Sequence, residues 1–209
     1  MVLKCGLVLE SSKNNKSITN QTHTMGLDVI RKLLATDIYP NIDDYTTKHS
    51  AVMIILYGPE YRMVMTEKPK TLALHAGEIS FPGGKMSPSD SDLLDTAIRE
   101  TAEEISLHLS RDDVIGQLKP VTTLNSGFSI LPFVAVLDEV SGLKPNDEVQ
   151  EILHIPVVPF LKTMSPDTDP HHHSLSEMYV FSYHSKTVWG ASARILKQMT
   201  DIFMQNKLI

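Results

Sequence analysis

Apolar residues recur at two different periods along the chain, and the change from one period to the other outlines its elements. Residues 11–24 follow neither period and are polar, rich in Ser, Asn and Thr. Residues 1–24 are therefore expected to be a poorly ordered segment ahead of a single domain over 25–209. Ile30, Leu33 and Leu34 then recur at helical spacing, and Tyr39-Pro40 supplies a stop, because proline pushes the preceding residue out of the α region. Ala51–Tyr57 is a dense, branched apolar run that suits a buried strand. Gly58-Pro59-Glu60 reads as a turn to a partner strand over Tyr61–Thr66. Short strands are predicted at Glu78–Phe81, Val114–Leu118, Leu131–Leu137, Glu151–Val157 and Met178–Tyr183. Helices are predicted over Asp92–Leu107 and Ala191–Met204, the second with Ile195, Met199, Ile202 and Phe203 turned inward. No repeat and no linker divides the pattern, which implies one mixed α/β domain.

The helix at Asp92–Leu107 carries the chemistry. At about 100° per residue, Leu94, Ala97, Ile98, Thr101, Ala102 and Ile105 form an apolar face. Glu100, Glu103 and Glu104 gather outside it. Positions i, i+3 and i+4 are surface neighbours, so these carboxylates repel one another unless something positive lies between them. A hard divalent cation with oxygen ligands turns that repulsion into affinity. Glutamate pairs on helices usually mean only a solvated face, and a lone Gly-Gly usually means only a turn. Here Phe81-Pro82-Gly83-Gly84-Lys85 leads directly into Arg99-Glu100-x-x-Glu103-Glu104, and glycine lets an ion or ligand approach the backbone closely. Arg99 is placed to steady Glu103 or an acid of the preceding loop.

Composition narrows the picture without changing it. The chain has 209 residues, 42% apolar, with mean hydropathy −0.08, a formal charge of −6 and a pI near 5.8. That balance argues against a broad basic surface for nucleic acid and leaves room for an anionic substrate met through a metal. A single cysteine, Cys5, excludes an internal disulfide and a thiolate-only zinc site. No apolar run approaches the roughly 20 residues of a membrane span, and no secretory leader is evident, so a cytoplasmic location is expected. His171-His172-His173 follows Pro170, and three adjacent side chains cannot comfortably face one ion. That stretch reads as mobile and solvent-facing.

Gly84 through Arg99-Glu100-Thr101-Ala102-Glu103-Glu104-Ile105-Ser106-Leu107 resembles the signature of the Nudix hydrolase superfamily, Gly-x5-Glu-x7-Arg-Glu-U-x-Glu-Glu-x-Gly-U with U apolar. Three departures stand out. The loop from Gly84 to Arg99 holds one extra residue. The early Glu is missing, leaving Asp90 or Asp92 to stand in. Thr101 occupies an apolar position and Ser106 the late glycine. The resemblance implies a Nudix α/β/α sandwich, a mixed β-sheet between helices, and Mg²⁺ (or Mn²⁺) held by Glu100, Glu103, Glu104 and the Gly84 carbonyl. Arg99, Glu100, Glu103 and Glu104 would be the catalytic set. Glu103, Glu104, Glu148 and Glu151 are the candidates for orienting the attacking water.

Further segments are most similar to the coenzyme A diphosphatase branch. They include Met65-Thr66-Glu67-Lys68, His75-Ala76-Gly77-Glu78, Ser126-Gly127-Phe128, Asn146-Asp147-Glu148 and Val188-Trp189-Gly190. That branch usually carries arginine where Lys68 and Ala73 stand. The implied activity is hydrolysis of coenzyme A or its derivatives to 4′-phosphopantetheine and adenosine 3′,5′-bisphosphate. Lys68, Gly83, Gly84 and Lys85 would bind the substrate. Two other readings are kept: a diphosphatase for ADP-ribose, a dinucleotide polyphosphate or a nucleoside triphosphate, and a non-catalytic nucleotide-binding module. The expected partner is a small diphosphate, with no nucleic acid and no membrane, and a homodimer is compatible with the pattern.

Overall fold

The computed structural model describes residues 26, 28–43, 47–71, 76–123, 127–169 and 178–209. Residues 1–25, Ala73 and His171–His173 lie outside them. After α1 (residues 28–34) the chain enters β1 (Lys48–Tyr57), which pairs in parallel with β7 (Phe128–Leu137) along its whole length. On its other side β1 pairs with two partners in succession. Tyr57 to Ile55 meet β2 (Arg62–Glu67), and Val52 to Ser50 meet β4 (Gly83–Lys85). The hairpin strands diverge beyond Val64, and β3 (Ile79–Ser80) and β4 fill the gap, anchored by Met53 N–H donating to the Pro82 carbonyl at 2.8 Å. This split in the sheet is what exposes the glycine pair beside α2 (Leu93–Ile105).

The mixed sheet is completed by β5 (Val114–Gln117) and β6 (Val121–Thr122), both antiparallel to β7, and by β8 (Glu151–Pro156), antiparallel to β2. Strand side chains alternate between faces, and the two cores follow that alternation. Ala51, Met53, Ile55, Val64, Phe133 and Ala135 pack with Leu93, Leu94, Ala97 and Ile105 of α2. On the opposite face, Ile54, Leu56, Met63, Met65, Val134 and Val136 pack with Ile30 and Leu34 of α1 and with α3 (Val157–Leu161) and α4 (Gly190–Gln205). Helices on both faces of a mixed sheet make the expected α/β/α sandwich. A second small sheet joins β9 (Ser165–Pro166), β10 (Tyr179–Tyr183) and β11 (Lys186–Val188). Among the described residues, no helix is long and apolar enough to cross a membrane.

Several boundaries differ from the sequence expectation, each for a local reason. Gly83–Lys85 is a strand rather than a turn, because β1 offers it a partner. Tyr61 belongs to the turn, at φ 50°, and not to β2. Val157 opens α3 instead of ending β8. The first helix ends at residue 34, well before Tyr39-Pro40, and the following segment is tied to β5 by Thr36 N–H donating to the Ile115 carbonyl.

Candidate active site

Helix α2 starts where it does because Asp92, in extended backbone, accepts from the Asp95 N–H at 2.9 Å, a side-chain N-cap. Arg111 clamps the outside of that first turn, meeting Asp92 at 2.7 Å and also pairing with Asp95. Asp90 does something different. Its carboxylate takes two parallel bonds from Arg99, Nε at 2.8 Å and Nη2 at 3.0 Å, and further bonds from the Thr96 hydroxyl and Ser87 N–H. The Asp90 side chain is only 4% exposed, and its hydrogen bonds to Arg99 hold the carboxyl down at about 2, against the opposing pull of burial. The same guanidinium reaches Glu100 at 2.9 Å, Glu103 at 3.0 Å and the Lys85 carbonyl at 3.2 Å. Five donors in a fixed plane suit this role, which lysine could not fill.

The three helix glutamates are not equivalent. Glu104 is 3% exposed and lies on the packed seam of α2 between Leu93 and Ala97, not outside the apolar face as the helical period suggested. It accepts from the Gly83 N–H at 3.2 Å. Burial pushes its carboxyl up to about 7, while Lys68 and the Gly83 N–H pull it down and Glu100 and Glu148 push it further up. Glu100 is half-buried. Burial raises its carboxyl too, against the pull of Arg99 and with added repulsion from Glu103 and Glu148. Glu103 is exposed.

Both glycines lie in close quarters. A Cβ on Gly83, at φ 153°, would lie 2.2 Å from the Ala51 carbonyl oxygen. A Cβ on Gly84 would lie 2.5 Å from the Glu100 carboxylate. The backbone of β4 thus abuts two acidic side chains of α2, one through each glycine.

A profile of the NUDIX domain matches residues 47–179, which span this loop, α2 and both sides of the sheet. The chain belongs to the Nudix family. It is 34% identical over 157 residues to the uncharacterized Nudix hydrolase NudL of Yersinia enterocolitica, covering 73% of this chain and 80% of that protein. It is 31% identical over 162 residues to the protein of the same description from Yersinia pestis, covering 75% and 80%. Among solved structures, the MutT protein from Methanosarcina mazei Go1 superposes with a TM-score of 0.53 at 19% identity, covering 77% of this chain and 95% of that one. A MutT/nudix family protein from Enterococcus faecalis gives 0.51 at 14%, covering 90% and 73%. These two likenesses bear on the fold. The family assignment makes this chain a Nudix hydrolase, an enzyme class that generally uses divalent metals such as Mg²⁺.

The donor set fits a hard cation. Two buried or half-buried carboxylates, a third beside them and a backbone without a Cβ are the oxygen-rich, closely approachable surroundings Mg²⁺ needs. Among the described residues, no three acidic or imidazole groups already converge to ligand positions. Glu100 and Glu103 are each held by Arg99 through one carboxylate oxygen, which leaves the other oxygen of each able to accept a further partner.

Other sequence candidates fall on either side of this site. Lys68, at the end of β2, is close enough for its charge to act on Glu104. Glu148 acts on both Glu104 and Glu100. It is carried by a loop fastened to the end of α2, where the Lys144 and Asn146 N–H groups donate to the Ile105 and Glu104 carbonyls at 3.1 and 3.0 Å. Glu151 is instead paired with Lys186 at 3.1 Å. The side chain of Lys85 turns away from the glutamates and lies over the Phe128 ring. Of the two acids expected to stand in for the missing early glutamate, Asp90 is bound to Arg99 and Asp92 caps the helix. Lys48 and Lys186 carried no signal in the sequence, where isolated lysines on strands read as solvated surface.

Proposed function

We propose that this Nudix hydrolase cleaves the diphosphate linkage of coenzyme A or a derivative of it, releasing 4′-phosphopantetheine and adenosine 3′,5′-bisphosphate. Glu100, Glu103, Glu104 and the Gly84 carbonyl would hold Mg²⁺ or Mn²⁺. The bound cation supplies charge neutralisation at the bridge and lowers the pKa of the attacking water. The protein's own part is positional. Gly83 N–H fixes Glu104, Arg99 sets the approach of Glu100 and Glu103, and Lys68 brings positive charge to the same end of the sheet, where phosphate oxygens would lie. Glu148, the loop acid nearest in effect to both buried glutamates, is placed to orient water.

The observation that carries the reading is the buried Glu104 carboxylate, held by the glycine loop and faced by Lys68. A carboxylate so deeply buried is expensive unless a cation compensates it. Coenzyme A is preferred over other diphosphates because of the extended similarity from Met65 to Gly84 and beyond Phe128 to the coenzyme A diphosphatase branch. The test is a panel of coenzyme A, ADP-ribose, diadenosine tetraphosphate and nucleoside triphosphates with Mg²⁺, products being identified by mass. Coenzyme A left intact while another nucleotide turns over defeats the substrate assignment. Glu104→Gln tests the metal role, and an active parent with an equally active variant would refute it.

A further inference from the structure

A cleft of about 610 Å³ opens at the N-terminal end of β1, lined by Lys48, His49, Lys85, Phe128 and the 86–90 loop. Register explains its walls. Lys48 is opposite Phe128 across β1 and β7, and Ser50 is opposite Lys85 across β1 and β4. Strand alternation then puts Lys48, Lys85 and Phe128 on one face of the sheet, whereas Gly84 turns to the other, toward Glu100. The Lys48 and Lys85 ammonium groups lie 5.8 and 5.3 Å from the centroid of the same Phe128 ring.

This arrangement invites an anion. Among the described residues, neither lysine has a carboxylate partner, and Asp90, the acid in the wall, is committed to Arg99. Two like charges gathered round one ring repel each other, in a chain whose net charge is −6. A concave surface with one sign of charge focuses the field on an anionic ligand, and the ring adds an apolar surface beside it. The cleft is also coupled to the reaction centre. Arg99, which holds Glu100 and Glu103, donates to the Lys85 carbonyl at 3.2 Å and grips Asp90.

We propose that this cleft binds a second phosphate of the substrate, a monoester on the nucleoside sugar remote from the scissile diphosphate, with Phe128 against the nucleoside. The assignment rests on the function proposed above, since it states which end of that substrate lies on Lys48 and Lys85. A ribose substituted at both 3′ and 5′ positions sends one phosphate to each side of the sheet edge formed by β4.

The decisive measurement is calorimetric binding of adenosine 3′,5′-bisphosphate and adenosine 5′-monophosphate to the full chain in EDTA. Wild type should bind the bisphosphate about tenfold tighter or more, the effect of a charge-assisted contact. In the Lys48→Met, Lys85→Met double variant that ratio should fall to within about threefold of unity, and Lys48→Arg alone should keep it. Unfolding curves confirm that each variant is folded. Equal affinity for the two nucleotides in wild type, or a preserved ratio in the double variant, overturns the proposal. Turnover of coenzyme A against 3′-dephospho-coenzyme A separates the two levels. Hydrolysis of neither sinks the substrate reading, while the nucleotide binding ratio still decides the cleft.

Discussion

Gly83 and Gly84 are adjacent, yet the atoms their missing side chains would strike differ in kind. At Gly83 the obstacle is the Ala51 carbonyl and the Val52 backbone, which cannot move without opening β1. Gly83→Ala should therefore cost about 2 kcal/mol or more in unfolding free energy, read from denaturant midpoints. At Gly84 the obstacle is the end of the Glu100 side chain, which can rotate away. Gly84→Ala should leave the unfolding midpoint nearly unchanged and lower kcat about 100-fold, because a misplaced carboxylate loses most of its positioning value. A Gly84→Ala variant that is unfolded, or fully active, would contradict this division. Ser106 is a third case. It ends α2 in the left-handed region at φ 57°, where the family signature has glycine, and its hydroxyl donates to the Lys144 carbonyl at 3.2 Å. That bond offsets part of the cost of a Cβ there.

At the scale of the element, α2 is an acidic helix whose orientation is fixed by two arginines, Arg99 from within and Arg111 from without. Asp90 makes that fixation pH-dependent. Its folded carboxyl is held at about 2, below the ordinary 3.8, with the hydrogen bond to Arg99 as the largest cause. A depressed acid stabilises the fold above its unfolded pKa and loses that contribution as pH falls through the folded value. Wild type should thus lose stability steadily between pH 4 and about 2, and Asp90→Asn should flatten that slope in acid denaturation while being less stable at neutral pH. How much of this element was legible follows from what a helical period can encode. Leu94, Ala97, Thr101 and Ile105 announced the packed face, and the spacing of Arg99, Glu100 and Glu103 announced their contact. The burial of Glu104 was not legible, since it depends on β4 entering the split between β1 and β2. The bond between Asp90 and Arg99 was legible only in kind: Arg99 was expected to steady Glu103 or an acid of the preceding loop and holds both, but which loop acid it meets leaves no periodic trace. The two-residue strands β6 and β9 are too short for alternation to show.

Across the whole molecule, the split between β1 and β2 is where a buried carboxylate meets the sheet. Lys68 and Glu148 act on Glu104, which accepts from the Gly83 N–H where β2 leaves β1, and without a cation the protein bears the cost of a carboxylate inside a packed seam. With the Glu104 carboxyl raised to about 7 by burial, the sign is opposite to that of Asp90. An acid whose folded pKa lies above its unfolded value opposes folding increasingly as pH rises past the unfolded value, in full above the folded value, and has no effect when both states are protonated. In EDTA at pH 8, Glu104→Gln should therefore unfold at higher denaturant than wild type, by about 2 kcal/mol, with the difference vanishing near pH 4. Saturating Mg²⁺ should reverse the order. A cation that binds the folded state alone stabilises it by about 2.7 kcal/mol at a hundredfold excess over Kd, and the variant lacks one of the charges that hold it. Measuring both proteins with and without Mg²⁺ at pH 8 gives four midpoints, and the prediction requires the two lines to cross. Parallel lines would mean that Glu104 does not sense the cation, and the buried carboxylate would then need another reason to be charged where it is.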